Sequence, residues 1–431
     1  MSLYHLFLAL LGAIIYRFPS RKMFVIGVTG TKGKSTTVEL INAILETAGK
    51  KTALLSSVRI KIASVSEDNA TDNTMPGRMF IQRFLRRATD AGCEYAIIEA
   101  TSQGVLQHRH RFINFSGALF LNLHPEHIEA HGSFAAYRNA KLKFFKDVAA
   151  RGGKKKHFFV NTGDQHHAHF IDAGYPGIMH FFSRERFVKT YLGGAARALG
   201  TWFSADFNLE NAAAAASVAE AVGIAKDTVL AALKNFRGFA GRMDEVQAQP
   251  FRVIVDYAHT PDSLRAVYQT LTTHNLSTQN SSTHKLICVF GSAGGGRDTW
   301  KRSEFGRIAA QYCAIAIITN EDPYDEPPEK IMEEIARGWE GEREIRNREL
   351  GTRNKELLKI VDRKEAIKEA VTLARSGDTV VITGKGSEHF IHGARGAKIP
   401  WSDRDVTREA LRSTSRGAFT QETAPRPLGR S

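Results

Sequence analysis

Residues 27–37 read G-V-T-G-T-K-G-K-S-T-T and follow a short apolar run, M-F-V-I, at residues 23–26. An apolar run of this length predicts a buried strand, and the apolar residues after position 37 recur at helical spacing. A strand, a glycine-rich turn and a helix in this order predict a phosphate-binding loop, because backbone N–H groups there surround oxyanions. In such a loop Lys34 reaches the outer phosphates and the Ser35 hydroxyl ligates Mg²⁺.

This loop is a shorter variant of the strict pattern, which has a glycine five positions before Gly33, where this chain has Val28. The alternative is a glycine turn ahead of an ordinary helix. The G-K-S-T ending and the strand–turn–helix context favour a nucleotide site. The residues predicted to hold the nucleotide phosphates are Gly30, Thr31, Lys32, Gly33, Lys34, Ser35 and Thr36.

Length and composition indicate a globular protein of two or three domains, because 431 residues exceed what one core accommodates. The net charge of +14 is compatible with nucleic-acid binding. The sequence shows no nucleic-acid-binding module, however, so we attribute the basic excess to anionic nucleotides and substrates. The three cysteines are far apart and lie in apolar contexts, which predicts buried packing residues and a reducing, cytoplasmic compartment.

The first 22 residues contain an apolar run at 3–16, followed by Arg17, Arg21 and Lys22. The run is shorter than the about 20 residues that span a bilayer. It has neither the preceding positive region nor the cleavage site of a signal peptide. A helix packed on the first domain is the favoured interpretation, and a helix at a membrane surface is the alternative.

From residue 23 onwards, predicted strands and helices alternate, which indicates an α/β fold. The prediction is a P-loop ATPase-type parallel-sheet domain at 23–242 and a Rossmann-like α/β domain at 243–412, separated near the glycine-containing segment 238–242. Small strands and loops are predicted for 154–205. A helix is predicted at 328–339, an inserted loop at 341–355 and a disordered tail at 413–431.

Candidate ligands follow the predicted strands of the first domain. Glu99 ends one strand, and with Ser35 it supplies two of the oxygen ligands that Mg²⁺ accepts. Three histidines, His124, His127 and His131, follow another strand, but a zinc site is disfavoured because neither H-E-x-x-H nor a cysteine partner is present. In the second domain, D-Y-A-H at 256–259 is a candidate ribose or phosphate contact, and glycine turns follow two further strands.

The ordered motifs of residues 23–412 resemble the Mur ligase family, and most of all its UDP-N-acetylmuramoyl-tripeptide synthetase branch. These motifs are G-T-K-G-K-S-T, E-A-T-S-Q-G, N-L-H-P-E-H-I-E-A-H-G, F-N-L-E-N, G-R-M-D, D-Y-A-H-T-P-D-S-L, N-E-D-P-Y, G-K-G-S-E-H and S-D-R-D-V-T-R-E-A-L. The resemblance implies an ATP-dependent ligase that adds an amino acid to a muramyl-peptide carboxylate through an acyl phosphate.

The resemblance also implies roles for individual residues. Lys34, Glu99, His127 and Lys141 would be catalytic, with Ser35 and Glu99 on one Mg²⁺, His127 on a second, and Lys141 carbamylated to orient the second ion. Asn211 would meet adenine, with Arg242, Asp256 and His259 also at the nucleotide. The remaining substrate-binding candidates are Thr74, Thr101, Ser102, Gln103, Arg109, Arg297, Asp322, Gly384 and Glu388, of which the last four would bind the amino acid.

Three departures from the family pattern carry further expectations. The 22 residues before the phosphate-loop domain cannot form the usual UDP-binding domain, so we expect the acceptor to be held by another chain or to be lipid-linked. Met75 and Gln103 replace a threonine and a histidine usual in the substrate motifs. Tyr324 replaces the arginine that reads the distal carboxylate of meso-diaminopimelate, which predicts a lysine-like amino acid.

Two alternatives belong to other functional classes. A folylpolyglutamate-type or cyanophycin-type amide ligase also lacks the first domain, but D-Y-A-H-T-P-D-S-L together with G-K-G-S-E is typical of tripeptide synthetases. A nucleotide-binding scaffold without enzymatic activity is disfavoured because the five residues predicted to act on phosphate and metal are all present. These are Lys34, Ser35, Glu99, His127 and Lys141.

Overall fold

The chain divides into two compact units, Met1–Arg237 and Gly238–Ser431. The computed structural model describes residues 2–71, 73–126, 128–151, 155–171, 175–276, 284–296, 298–350 and 355–422. Both units are α/β, as the sequence predicts. The division falls at the start of the glycine-containing segment 238–242.

The first unit is built on an eight-stranded sheet in the order β4-β3-β2-β5-β1-β6-β7-β8. All neighbouring strands are parallel except those that involve β3 and β4. Ligands of such sheets bind beyond the carboxyl ends of the strands, where the strand order reverses. The central strand β1 occupies that position between β5 and β6. The strands are β1 (Phe24–Thr29), β2 (Thr52–Leu55), β3 (Arg59–Ile62), β4 (Val65–Asp68), β5 (Tyr95–Glu99), β6 (Gly117–Phe120), β7 (His157–Asn161) and β8 (Ile178–Phe182).

Helices cover both faces of this sheet, because successive residues of a buried parallel strand enter opposite apolar layers. Val25 of β1 packs in the layer that contains Phe84 and Phe144. Its neighbour Ile26 packs in the layer that contains Val38. The helices are α1 (Ser2–Ile15), α2 (Lys34–Thr47), α3 (Arg78–Asp90), α4 (Ser102–Leu106), α5 (Ile128–His131), α6 (Phe134–Ala149), α7 (Ala168–Ile171), α8 (Arg184–Leu192), α9 (Asp206–Ala221) and α10 (Lys226–Asn235).

The second unit contains a six-stranded sheet in the order β13-β12-β11-β14-β10-β9 and a two-stranded sheet, β15-β16. The larger sheet is parallel except for β9. Its strands are β9 (Asp244–Gln247), β10 (Arg252–Asp256), β11 (Leu286–Phe290), β12 (Ile315–Ile318), β13 (Glu356–Lys359) and β14 (Thr379–Thr383), followed by β15 (Phe390–His392) and β16 (Lys398–Pro400). Its helices are α11 (Pro261–Leu276), α12 (Trp300–Tyr312), α13 (Pro328–Leu350), α14 (Arg363–Leu373) and α15 (Asp403–Glu422).

Three segments are more helical than the sequence predicts. Helix α13 continues through most of the predicted loop 341–355, since this charged stretch consists largely of good helix formers and includes an i,i+4 pair between Glu342 and Arg346. Helix α15 extends to Glu422, within the predicted disordered tail, because the first proline of that tail is Pro425. Helix α8 lies in the region predicted as strands and loops, and its N-cap is Ser183.

The cysteine prediction is wrong for two of the three residues. Cys288 on β11 and Cys313, two residues before β12, form a disulfide, and their Cα atoms are 6.1 Å apart. Because β11 and β12 are paired neighbours, the fold brings together two cysteines that are 25 positions apart in sequence. Cys93 is a free, buried cysteine.

The apolar N-terminal run forms helix α1, which packs on α3 of the first unit. The contact is close at Gly12, where an added Cβ would lie 3.0 Å from the Met79 sulfur. Among the helices that the structure describes, none is long and apolar enough to cross a membrane.

Candidate active site

The phosphate loop connects β1, which ends at Thr29, to α2, which begins at Lys34. Gly33 has φ +78°, a conformation that favours glycine, and a Cβ there would lie 2.2 Å from Asn211 Oδ1. The same Asn211 oxygen accepts a hydrogen bond from the Thr37 hydroxyl at 3.1 Å. The predicted adenine residue Asn211 is therefore buried against the loop, and its adenine contact stays a prediction.

The segment after β6 holds the loop in shape. The Asn122 side-chain oxygen accepts hydrogen bonds from the backbone N–H groups of Thr31 at 3.1 Å and Lys32 at 2.9 Å. The Thr31 hydroxyl oxygen accepts from the His124 N–H at 3.0 Å and from the Tyr137 hydroxyl at 3.2 Å. The motif that begins N-L-H thus contributes directly to the loop through long-range contacts.

The Lys34 ammonium lies over the loop. Its Nζ donates to the backbone carbonyls of Gly30 at 3.1 Å and Thr31 at 2.8 Å. A lysine held in this way places a positive charge at the mouth of the loop, where nucleotide phosphates carry negative charge.

Ser35 and Glu99 come together through Ser57, a residue that the sequence analysis did not select. The Ser57 hydroxyl is 2.9 Å from the Ser35 hydroxyl, and the Ser57 N–H donates to Glu99 Oε1 at 2.9 Å. Ser57 follows β2, whose carboxyl end lies beside that of β5. The serine pair in S-S at 56–57 after an apolar strand was the available signal.

This arrangement fits a magnesium ion. The Glu99 carboxylate is only 1% exposed, and it accepts hydrogen bonds from the N–H and hydroxyl of Ser57, which are neutral groups. A buried carboxylate needs a compensating positive charge, and Mg²⁺ prefers hard oxygen ligands such as this carboxylate and the Ser35 hydroxyl. The third predicted ligand, His127, lies outside the described residues.

Lys141 on α6 is buried beside the loop. Its Nζ donates to the Gly30 carbonyl at 2.7 Å and lies 4.5 Å from the centre of the Tyr137 ring. Burial, together with the positive charge of Lys34, lowers the pKa of Lys141 well below its ordinary value, whereas Glu126 acts in the opposite direction. A lysine with a lowered pKa is available as a neutral amine, the form that reacts with CO₂.

Three substrate candidates lie at the start of α4. The Thr101 hydroxyl caps this helix by accepting from the Gly104 N–H at 3.1 Å. The Ser102 hydroxyl is 3.1 Å from His131 Nε2, and burial lowers the pKa of this histidine. Gln103 is exposed. Among the described residues, no group of three or more histidines, cysteines and acids has a metal-binding arrangement.

Arg109 holds the segment that contains Thr74. Its guanidinium donates to the Met75 carbonyl and, at 3.4 Å, to the Asn73 side-chain oxygen. Thr74 therefore lies between two residues that Arg109 contacts, and the substrate roles of Thr74 and Arg109 stay predictions.

In the second unit, Lys385 connects the two acidic candidates. This lysine is fully buried, and its ammonium bonds to Asp322 Oδ1 at 2.8 Å and to Glu388 Oε2 at 2.5 Å. The other Glu388 oxygen accepts from the Tyr257 hydroxyl at 2.8 Å. The Arg242 guanidinium lies 4.0 Å from the centre of the Tyr257 ring. The candidate nucleotide and amino-acid residues of this unit thus form one cluster, while Arg297 lies outside the described residues.

Asp256 organises the backbone around Arg242. Its carboxylate accepts from the N–H groups of Met243 at 2.7 Å and Ala258 at 2.8 Å, and burial raises its pKa. His259 Nδ1 is 2.9 Å from the Tyr257 carbonyl. Asp256 therefore fixes the backbone at Met243 and Ala258, and its nucleotide contact stays a prediction.

Arg363 and Asp403 form a buried ion pair beneath this cluster. Two guanidinium nitrogens of Arg363 each lie 2.8 Å from an Asp403 oxygen, and the guanidinium also donates to the Thr383 carbonyl at 2.8 Å. The motif S-D-R-D thereby attaches the start of α15 to the end of β14.

Glu321 is a buried carboxyl that the sequence analysis did not select. One of its oxygens lacks a hydrogen-bond partner among the described residues. Gly384, with φ +111°, passes so close that a Cβ would lie 2.4 Å from this oxygen. Burial raises the pKa of Glu321 to about 7. The positive charge of Arg363 acts in the opposite direction, and the negative charge of Asp322 raises the pKa further.

We expect Glu321 to make stability depend on pH. Because its folded pKa lies above its unfolded value, the folded protein keeps a proton that the unfolded chain loses between pH about 4.5 and about 7. The free energy of unfolding should therefore fall as pH rises through this window, by roughly 3 kcal/mol. Urea unfolding across this range should show the decrease in the wild type and its loss in Glu321→Gln. Glu329→Gln, at an exposed position of α13, is the control, and an unchanged pH profile in Glu321→Gln would contradict the assignment.

Comparison with known proteins identifies the family. The Mur ligase middle domain matches residues 28–219, and the Mur ligase, glutamate ligase domain matches residues 241–386. A UDP-N-acetylmuramyl-tripeptide synthetase from Roseiflexus sp. (strain RS-1) is 37% identical, over 94% of this chain and 81% of that protein. A solved UDP-N-acetylmuramoyl-L-alanyl-D-glutamate–2,6-diaminopimelate ligase is 26% identical with a TM-score of 0.58, over 94% of this chain and 82% of that one.

The chain belongs to the Mur ligase family and is an ATP-dependent amide ligase, as its motifs predict. Within the family, it is similar to the tripeptide synthetases. The folylpolyglutamate-type alternative fits less well. The Mycobacterium tuberculosis folylpolyglutamate synthase shares the fold, with a TM-score of 0.64 over 96% of this chain and 95% of that one, but only 15% sequence identity.

Proposed function

We propose that this ligase joins an amino acid to the carboxylate of a muramyl peptide, in the synthesis of a peptidoglycan precursor in the cytoplasm. The observation that carries the proposal is the buried Glu99 carboxylate, linked through Ser57 to Ser35 beside the phosphate loop. This arrangement suits an enzyme that transfers the terminal phosphoryl group of ATP. The tripeptide-synthetase relative supports the choice of acceptor.

The chemistry has two steps. A carboxylate is a poor electrophile, so its oxygen first attacks the terminal phosphorus of ATP, which forms an acyl phosphate and releases ADP. The neutral amino group of the incoming amino acid then attacks the acyl carbon, forms the C–N bond and loses a proton. The C–O bond to the phosphoryl group breaks, so phosphate leaves with one oxygen of the original carboxylate. Lys34 and the loop N–H groups stabilise negative charge on the transferred phosphoryl group.

Ser35 and Glu99 would hold Mg²⁺, with His127 on a second ion. Bound magnesium supplies positive charge that offsets the charge of the phosphates. Lys141 would act as a carbamate, since its lowered pKa favours reaction with CO₂ and the product is an anion suited to a cationic site. Asn211 would contact adenine, and Arg242, Asp256 and His259 would contact other parts of the nucleotide.

The acceptor would bind the residues around α4 and the segment held by Arg109. These are Thr74, Thr101, Ser102, Gln103 and Arg109. The apolar helix α1 favours a lipid-linked acceptor, and residues 3–16 would make a peripheral membrane contact. Amino-acid binding is assigned to Arg297, Asp322, Gly384 and Glu388.

A mass-spectrometric ligation screen tests the proposed function. The protein, ATP and Mg²⁺ are mixed with muramyl dipeptides, with or without UDP, and with individual amino acids. The expected product is the acceptor plus one amino acid minus water, with ADP and phosphate released. A product formed only with a folate acceptor, or none with any muramyl peptide, would overturn the proposal.

Amino-acid specificity is the next prediction. Glu388 can pair with a distal ammonium because its side chain is 38% exposed despite its internal bonds. The Tyr324 ring stacks on His392 at 5.5 Å and offers no cation for a second carboxylate. We therefore expect lysine or ornithine to be preferred over meso-diaminopimelate by roughly 10–150-fold in kcat/KM, since a charged hydrogen bond contributes about 1.5–3 kcal/mol.

Competition between lysine and meso-diaminopimelate measures this preference. Tyr324→Arg should shift it towards meso-diaminopimelate, whereas the matched control Tyr324→Phe should not. The opposite preference in the wild-type enzyme would mean that another cation reads the distal carboxylate.

A further inference from the structure

Helix α1 presents its large apolar side chains outwards and its small ones inwards. Ala9, Gly12 and Ala13 are buried, and Gly12 lies close to Met79 of α3. The outward side chains are strongly exposed, with 82% for Leu3 and 61% for Phe7. Packing on α3 thus uses the smallest residues of the helix and leaves its apolar surface uncovered.

This exposed surface is concentrated in one place. Seven of the fourteen exposed large apolar side chains in the described part of the chain belong to α1: Leu3, Tyr4, Phe7, Leu10, Leu11, Ile14 and Ile15. Proteins rarely expose an apolar patch of this kind unless it binds a partner or a membrane.

The charge beside the patch is positive. Arg17, Arg21 and Lys22 are all exposed directly after α1. The sequence has no aspartate or glutamate before Glu39, and Asp90 of α3, which interacts with Lys22, is paired with Arg86. An apolar helix face with an adjoining basic cluster complements an anionic lipid surface, in which headgroups attract the cations while acyl chains receive the apolar side chains.

The C-terminal end of α1 and the residues that follow it are attached to the rest of the first unit. The Phe18 N–H donates to the Ala13 carbonyl at 2.8 Å and closes the helix, and the Arg21 guanidinium lies 4.6 Å from the centre of the Phe18 ring. The Ser20 hydroxyl then accepts from the Asn114 N–H at 2.9 Å. The basic cluster and the apolar face therefore have a defined position on this unit.

We propose that α1 binds the surface of membranes rich in anionic phospholipid, lying in the interface with its apolar face inserted and with Arg17, Arg21 and Lys22 at the headgroups. The proposal rests on the peripheral contact proposed above and specifies its lipid chemistry. With 14 residues, α1 is about 21 Å long, less than the about 30 Å of a hydrocarbon core, so it lies on the surface. A second copy of the chain would bring another basic cluster rather than complementary charge.

Vesicle co-sedimentation of the full chain tests this proposal, with vesicles of phosphatidylcholine alone or mixed with phosphatidylglycerol. The chain should bind the mixed vesicles, and added salt should weaken binding.

The triple variant Phe7→Ser/Leu10→Ser/Ile14→Ser should abolish vesicle binding. The control Val65→Ser/Ile399→Ser, at exposed apolar positions elsewhere, should not. Arg17→Gln/Arg21→Gln/Lys22→Gln should lower the partition coefficient roughly 100-fold, unlike the control Lys189→Gln/Lys234→Gln/Arg237→Gln.

Ligation of a water-soluble acceptor, measured in parallel, separates this proposal from the proposed function. All four variants should ligate at the wild-type rate, which also shows that they are folded. Equal binding to both kinds of vesicle, or none, would overturn the proposal. The proposal would also be overturned if the wild-type protein does not bind vesicles and light scattering shows a dimer that the serine triple variant abolishes.

Discussion

Replacing Lys34 with alanine is expected to lower the rate of ATP-dependent ligation by at least about 100-fold, because it removes a positive charge that acts on the transferred phosphoryl group. The structure gives the reason for so large an effect. The ammonium is held over the loop by the Gly30 and Thr31 carbonyls, which fix its charge beside the proposed phosphate position. Single-turnover formation of ADP, followed with labelled ATP, measures the effect.

Lys50→Ala is the matched control for Lys34→Ala. Lys50 follows the same helix and forms a solvent-exposed pair with Glu94 at 3.1 Å, so its loss should leave the ligation rate near wild type. Thermal unfolding should show both variants folded. Ligation by folded Lys34→Ala within about threefold of wild type would contradict the phosphate-loop assignment, given the size of such contacts.

Replacing Lys141 with alanine is the second change with a large expected effect, namely loss of ligation with partial recovery in added short carboxylates such as acetate or propionate. The carboxylate would occupy the space of the lost carbamate and supply its negative charge. The buried position and lowered pKa of Lys141 support this chemistry, since only a neutral amine adds to CO₂.

Lys143→Ala provides the control on the same helix. Its ammonium pairs with Asp147 at 2.7 Å, and its side chain is 40% exposed, so the variant should keep full activity. Lys141→Ala should fail to ligate without added carboxylate, whereas the ligation rate of Lys143→Ala should not depend on added carboxylate. Full activity of Lys141→Ala would contradict the carbamate prediction and would mean that Lys141 has no part in catalysis.

The phosphate loop was predictable because its signal is local. Strand, glycine turn and helix follow one another within a short stretch around 27–37. Position 33 requires glycine because its φ is +78° and an added Cβ would clash with Asn211. The α/β fold followed from alternating elements in the same way. The more distant candidates came from the family resemblance, and their roles stay predictions.

Long-range contacts account for what the sequence analysis missed. Ser57 becomes important only because β2 pairs with β5 and sets it beside Glu99. Lys385 and Glu321 acquire their environments from strands that are distant in sequence. The disulfide between Cys288 and Cys313 likewise depends on the pairing of β11 and β12, which cysteine spacing alone does not disclose.

Transfer of an oxygen label tests the central claim of ATP-dependent ligation through an acyl phosphate most directly. A muramyl-peptide acceptor labelled with ¹⁸O in its reacting carboxylate is incubated with the protein, ATP, Mg²⁺ and the preferred amino acid. The account predicts that each ligation event places one labelled oxygen in the released phosphate. Amide product with unlabelled phosphate, or label in AMP, would contradict it.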